Sequence, residues 1–356
     1  MNQRVDKLRR KMAEKSIDAA LVTDEINVRY YTGFTGDESM ALIDQDHGVF
    51  LTDFRYTEQA EGECVGFTVI EPEAAAPFAT VDRLCTEWGV KRLWVEEEDI
   101  SWERYTKMHE AMGGIELIPN DGSIKSVRVV KEPREIDAIR KAQEIAELGF
   151  SHLLDFIQPG MTEREVALEL EFFTRRAGSE GMAFPPIIAA GPHGAMPHAQ
   201  LSDQVIGDGD MIVMDFGCIY GGYRSDMTRT IVVGKATDEM KAVYDIVLKA
   251  QQAALDGLKE GIEEVAGDKL ARDIIDNAGY KERFGHGLGH GVGLEIHEAP
   301  RLSPLAKSVL REGMVVTVEP GIYLPGRFGV RIEDFVVVKK DGIENLTEAP
   351  KNLIEL

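Results

Sequence analysis

With 356 residues, 62 acidic side chains against 40 basic ones and a formal net charge of −22, the chain repels phosphate backbones and anionic lipid, which excludes nucleic acid and membrane surfaces as partners. The length suits two domains and the 44% apolar content supports real cores, while no apolar run approaches the ~20 residues of a membrane span. Cys64, Cys85 and Cys218 are widely spaced and form no CxxC pair, and the first residues are polar, so a disulfide framework, a thiolate metal site and a secretion signal are all disfavoured and a reducing, cytoplasmic home is expected.

Residues 1 to about 125 alternate helix-like and strand-like patches. An amphipathic start carries Val5, Leu8 and Met12, and strands are expected at Ala19 to Thr23, Ala41 to Ile43, Val49 to Thr52 and Phe67 to Ile70. An amphipathic stretch at Val81 to Trp88, a strand at Arg92 to Val95, a helix near Trp102 to Met112 and a strand at Ile115 to Ile118 complete an α/β domain. It holds no compact cluster of catalytic residue types, so a structural or substrate-gating role is expected.

Pro133 then opens a long helix with Ile136, Ile139, Ala142, Ala146, Leu153 and Phe156 on one side, and Pro159-Gly160 ends it. The boundary falls just before it, giving domains 1–127 and 128–356. Thr162 with Glu165 reads as a capping box for a second helix that stops at Gly178, and strands follow from about 184 to 234. The order recurs from Thr237: a helix with Met240, Val243, Tyr244, Val247 and Leu248 on one face, a break at Gly261, a shorter helix to Gly279, then strands to about 340. Two helices followed by strands, twice, predict an internal pseudo-twofold duplication with strands meeting around one cleft.

The chemistry-bearing residues collect in these strands. Residues 285 to 300 hold five glycines and three histidines, His286, His290 and His297, a composition that disfavours helix and lets extended backbone approach a ligand closely. A hairpin of Met211 to Phe216 with Tyr223 to Val233, joined by Gly217, Gly221 and Gly222, is expected to set Asp215 across from Asp226, with Thr228 and Thr230 on the face of Asp226. Two carboxylates held together need a cation or a shared proton. Glu319 closes the apolar strand Met314 to Val318, and Glu333 sits in the strand Val330 to Val338, both odd places for surface acids. Arg331, two residues from Glu333, is expected to clamp a ligating carboxylate, with Thr228 supporting the same set, although an ordinary cross-strand ion pair would read the same way. Four carboxylates and one imidazole suit hard or borderline divalent ions, Mn²⁺ best and Co²⁺ or Zn²⁺ as substitutes. That many acids point to two ions and hydrolytic chemistry.

Asp215, Asp226, His290 in Gly-His-Gly-Val-Gly, Glu319 in Val-Glu-Pro-Gly and Glu333 in Arg-Ile-Glu-Asp resemble the ligand set of the pita-bread metallopeptidases, in the branch of prolidase and aminopeptidase P. Asn27-Val-Arg-Tyr-Tyr-Thr-Gly-Phe34 and Asp53-Phe-Arg-Tyr56 resemble the N-terminal domain of that branch. The resemblance implies an α/β N-terminal domain followed by an α+β pita-bread catalytic domain. It implies that Asp215 holds one ion, that His290 and Glu319 hold the other, and that Asp226 and Glu333 bridge. It also implies that Glu319, His198 and His297 are catalytic, that His198, His297 and Arg301 bind substrate, and that His193 and His286 have weaker claims. The implied reaction cleaves the bond before proline in a small peptide: a dipeptidase if Arg301 grips a free carboxylate, an aminopeptidase P if longer peptides enter. A homodimer is common in this branch and is expected here. Metal-independent creatine hydrolysis and a catalytically silent peptide-binding module are the rivals, and both fit poorly with an intact ligand set.

Overall fold

Period-two apolar runs and amphipathic helices give the first unit, Met1–Arg128, its layers. The computed structural model describes residues 3–72 and 76–356. In chain order the unit comprises α1 (Gln3–Glu14), β1 (Ala19–Val22), α2 (Glu25–Thr32), β2 (Ser39–Asp44), β3 (Gly48–Thr52), α3 (Thr57–Glu63), β4 (Thr68–Ile70), α4 (Pro77–Trp88), β5 (Arg92–Val95), α5 (Trp102–Ala111) and β6 (Glu116–Pro119). One six-stranded sheet runs in the order β4-β3-β2-β1-β5-β6, parallel except where β2 opposes β1 and β3. Its core gathers Leu21, Leu42, Leu51, Val81, Leu84, Leu93 and Met108. Helices α2 and α3 were not expected. α2 buries Asn27, Val28, Tyr30, Tyr31 and Thr32 in one short run, so no polar face marks its period. Its ends are nevertheless capped: Asp24 accepts from the Asn27 amide, and Gly33, at φ +85°, closes the last turn.

The second unit, Val129–Leu356, opens with α6 (Pro133–Phe156) and α7 (Glu163–Arg176), followed by β7 (Ile187–Ala190), β8 (Met211–Phe216), β9 (Ile219–Tyr220), β10 (Tyr223–Arg224) and β11 (Met227–Val232). The Thr162–Glu165 box is formed in both directions. Then come α8 (Asp238–Gly257) and α9 (Glu264–Ile275), followed by β12 (Gly289–Gly291), β13 (Glu298–Leu302), β14 (Val315–Val318), β15 (Gly321–Leu324), β16 (Phe328–Arg331), β17 (Asp334–Lys339) and β18 (Gly342–Asn345).

Both halves pack a helix pair onto antiparallel strands. α6 and α7 share a core with β7, β8 and β11 through Phe150, Leu153, Leu170, Ile188, Met214 and Phe216. α8 and α9 do the same for the five-stranded sheet β13-β12-β14-β17-β18 through Val243, Tyr244, Val247, Val316 and Val336. No helix among the described residues is long and apolar enough to cross a membrane.

Two local expectations need correction. β8 pairs with β11 so that Asp215 faces Thr228, not Asp226, and Gly221 and Gly222 instead turn the separate ribbon β9–β10. The pairing stops at Gly217, where a Cβ would lie 1.7 Å from the Ser225 carbonyl oxygen; Asp226 therefore sits just ahead of the strand, diagonal to Asp215. The run Val330 to Val338 is likewise not one strand. It breaks at Ile332-Glu333, because β16 pairs with β15 whereas β17 crosses to β14.

Candidate metal centre

Strand ends, one short strand and one strand break deliver the acidic and imidazole side chains to one place. Asp215 is the penultimate residue of β8, Asp226 precedes β11, His290 is the middle of β12, Glu319 follows β14, and Glu333 occupies the break between β16 and β17. All five line a cavity of about 440 Å³, together with His198, His286, His297, Arg301 and Arg331. The donor atoms of Asp226, His290 and Glu333 lie within 4.8 Å of one another. His290 Nε2 is 3.6 Å from Asp226 Oδ2 and 3.4 Å from Glu319 Oε1.

Burial and mutual repulsion of the carboxylates dominate the electrostatics, opposed by the buried guanidinium of Arg331. Burial, then repulsion from Glu333, Asp215 and Glu319, raises Asp226 well above the usual carboxylate range. Glu333 is raised in the same way by burial and by Glu319 and Asp215. Burial, reinforced by Asp215, pushes Glu319 up to about 8. Asp215 Oδ1 is buried with no hydrogen-bond partner, an acceptor left open at the centre of the cluster. Burial, aided by His297, lowers His290 to about 3, so its imidazole is neutral, as a ligand must be. His290 Nδ1 lies 3.1 Å from the Gly291 carbonyl. A carbonyl only accepts, so Nδ1 carries the proton and the Nε2 lone pair faces the carboxylates. An oxygen-rich donor set, one correctly oriented imidazole and an open buried acceptor together fit divalent cations.

The buried guanidinium of Arg331 clamps one of the candidate ligand carboxylates, as expected from the sequence. It pairs with Asp215 rather than with its neighbour Glu333. It also donates to Thr228 Oγ1 at 3.0 Å, to Tyr323 OH at 2.9 Å and to the Pro197 carbonyl at 3.1 Å. Glu333 is held instead by Thr228, whose hydroxyl donates to Oε2 at 2.6 Å. The split strand explains the exchange: Arg331 still belongs to β16, whereas Glu333 lies in the crossing to β17.

Two supporting residues escaped the sequence reading. Thr317 Oγ1 accepts from the His290 amide and donates to Glu319 Oε1. Tyr323 OH accepts from Arg331 and donates to His286 Nε2 at 2.9 Å, since His286 Nδ1 donates to the Gly287 carbonyl. Thr317 lies two residues before Glu319, so period-two spacing flags it; Tyr323 lies in β15, beyond the Pro320-Gly321 turn, where alternation from Glu319 gives no signal.

The other candidates divide. His198 is exposed at the cavity wall, and His297 places its ring 4.4 Å from that of His290, near edge-on at 69°. Burial and the positive Arg301 lower the His297 pKa. Arg301 stands opposite His290 in the β12–β13 register, exposed and on the cavity wall. His193 does not line the cavity and instead bonds the fully buried Glu163 at 2.8 and 2.9 Å.

Carboxylates from both halves of a duplicated α+β unit, converging on a neutral imidazole, define a metal-dependent hydrolase centre of the pita-bread class. The chain belongs to metallopeptidase family M24, whose model matches residues 137–340, and residues 4–130 match the Creatinase/Prolidase N-terminal domain. The Xaa-Pro dipeptidase of Pyrococcus furiosus is 37% identical over 356 residues, covering 99% of this chain and 100% of that protein. Among solved structures, an Xaa-Pro dipeptidase from Bacillus anthracis is 43% identical with a TM-score of 0.97, covering 99% of both chains. An X-Pro aminopeptidase from Thermotoga maritima is 40% identical with a TM-score of 0.92, covering 98% of this chain and 100% of that one.

Proposed function

We propose that this chain is an Xaa-Pro dipeptidase that uses two divalent ions, Mn²⁺ by preference, to split the bond before a carboxy-terminal proline. The observation that carries the reading is the convergence of Asp215, Asp226, His290, Glu319 and Glu333 in one cavity whose wall also presents His198, His297 and Arg301. Asp215 would hold one ion and His290 with Glu319 the other, while Asp226 and Glu333 would serve both. Bound cations of this kind supply an acidified water and a polarised carbonyl.

The side chains supply the rest. Glu319 takes the proton of the attacking water and passes it to the proline nitrogen. That nitrogen carries no hydrogen in the substrate, so proteases that need an N–H donor there cannot use it. His198 and His297 donate hydrogen bonds to the developing oxyanion and to the proline side, where stabilisation counts most. Arg301 pairs with the free carboxylate of a dipeptide.

A second reading, aminopeptidase P acting on longer peptides, is supported by the likeness to the Thermotoga maritima X-Pro aminopeptidase. Comparing an Xaa-Pro dipeptide with an Xaa-Pro-Xaa tripeptide under added Mn²⁺ separates the two. Preferential cleavage of the dipeptide supports the first reading, and preferential cleavage of the tripeptide replaces it with the second. We further propose a cytoplasmic homodimer. Three free, buried thiols, Cys64, Cys85 and Cys218, are compatible with a reducing compartment, and sedimentation equilibrium tests the dimer.

A further inference from the structure

Arg229 follows Thr228 in β11, so strand alternation turns its side chain off the face that carries Asp226, Thr228 and Thr230. It is 1% exposed, yet all five of its N–H groups have acceptors. Nε donates to the Pro350 carbonyl at 3.0 Å; Nη1 donates to the carbonyls of Thr228 at 2.9 Å and Glu333 at 2.6 Å; Nη2 donates to Asp334 Oδ1 at 2.7 Å and the Ala349 carbonyl at 2.8 Å. The second oxygen of Asp334 accepts from Lys351 Nζ at 2.7 Å and from Asn345 Nδ2 at 2.8 Å. Asp334 is fully buried and directly follows Glu333. Thus one guanidinium ties the backbone of Thr228, in the first half of the unit, to the backbone of Glu333, in the second. The same two residues are already joined through the Thr228 hydroxyl and through the Glu333 amide, which donates to the Thr228 carbonyl at 3.1 Å.

This doubling falls where β16 has ended and β17 has just begun, so ladder hydrogen bonds do not by themselves set where Glu333 points. We propose that Arg229, Asp334 and Lys351 form a positioning brace. It draws segment 345–351 against the strand break and sets the Glu333 carboxylate at its distance from Asp226 and His290. The segment, which contributes no ligand, is then part of the metal centre's scaffold. The proposal rests on reading the five cavity residues as metal ligands.

The test measures Mn²⁺ affinity of the folded protein by competition with a chromophoric chelator, alongside urea unfolding of the metal-free protein. Arg229→Lys keeps the charge but replaces a rigid five-donor fork by a flexible three-donor ammonium. It is expected to weaken Mn²⁺ binding by roughly 10- to 100-fold, the range seen when the outer partners of ligands are altered. Lys351→Met, at a side chain 22% exposed and therefore easier to tolerate, is expected to weaken it less, by about 10-fold, the lower end of that range. Val247→Ala, in the α8 core, should lower the urea midpoint without moving the affinity, which separates positioning from general destabilisation.

Folded Arg229→Lys with wild-type Mn²⁺ affinity, whatever its urea midpoint, overturns the brace. If Arg229→Lys does not fold, Lys351→Met decides by the same criterion. Wild-type protein that binds no Mn²⁺ overturns the metal-site reading itself, and the brace with it.

Discussion

Stripping the divalent ions should turn the carboxylates of the second unit into a pH-dependent destabilisation, most clearly between pH 6.5 and 8. A carboxyl whose folded pKa lies above its unfolded value stabilises the fold while protonated and loses that contribution as pH rises. Glu319 goes from an ordinary 4.5 to about 8, so the loss runs from pH 4.5 up to about 8. At 1.36 kcal/mol per pH unit, the interval from 6.5 to 8 carries about 2 kcal/mol at most. Because the Glu319 side chain is 16% exposed, solvent screening brings the expected value to about 1–2 kcal/mol. Asp226 and Glu333, also raised, act in the same direction.

The buried histidines act oppositely, but only below pH 6.5. His286 and His290 are lowered from 6.5 to about 4 and about 3, so their contribution is complete above pH 6.5 and lost as pH falls below it. Above pH 6.5 only the carboxyls contribute a slope, so metal-free protein should weaken from pH 6.5 toward pH 8. Mn²⁺-loaded protein should stay level or gain, since bound ligands are deprotonated and metal affinity rises with pH. The measurement is the urea midpoint of chelator-stripped and Mn²⁺-loaded protein at the two pH values, followed by far-ultraviolet circular dichroism. Tryptophan fluorescence would report on the wrong unit, because Trp88, Trp94 and Trp102 all lie before residue 129. Identical pH dependence with and without metal, or a stripped protein that gains stability from pH 6.5 to 8, would refute the reasoning. Glu319→Gln should flatten part of the stripped protein's slope.

Other outcomes follow from the same geometry. Asp226→Ala or Glu333→Ala should abolish metal-dependent turnover and lower Mn²⁺ affinity by more than the roughly 100-fold typical of outer partners; activity retained in a metal-free preparation would contradict the ligand assignment. Arg301→Leu removes a charge-assisted hydrogen bond of about 1.5–3 kcal/mol and should raise KM for an Xaa-Pro dipeptide about 10- to 100-fold. A tripeptide amide should be nearly unaffected, and equal effects on both substrates would remove Arg301 from carboxylate recognition. Lys131 and Glu298 form an ion pair with side chains 1% and 5% exposed. Lys131→Met should therefore destabilise the second unit by about 3–5 kcal/mol in urea unfolding, with much of the loss recovered by adding Glu298→Leu. Failure of the double variant to recover would show that the lysine acts through packing instead.

How much was legible in the sequence depended on the range of the interaction. Helix α6 and the capping box of α7 are written in Pro133, Thr162 and Glu165, because caps and periodic apolar faces act over a few residues. The repeated order of helices and strands was readable for the same reason, and so were the acids in apolar runs, since Asp215, Glu319 and Glu333 violate local patterning. Helix α2 was not legible, because burial on several sides erased its period. What only the tertiary structure decided is partnership: that Asp215 faces Thr228, that Arg331 grips Asp215 while Thr228 holds Glu333, and that Arg229 ties Glu333 to segment 345–351. Those choices follow from strand register and from where β16 gives way to β17, which are set by which edges find each other in space. A one-residue change of register would have reassigned every one of them without altering a single local propensity.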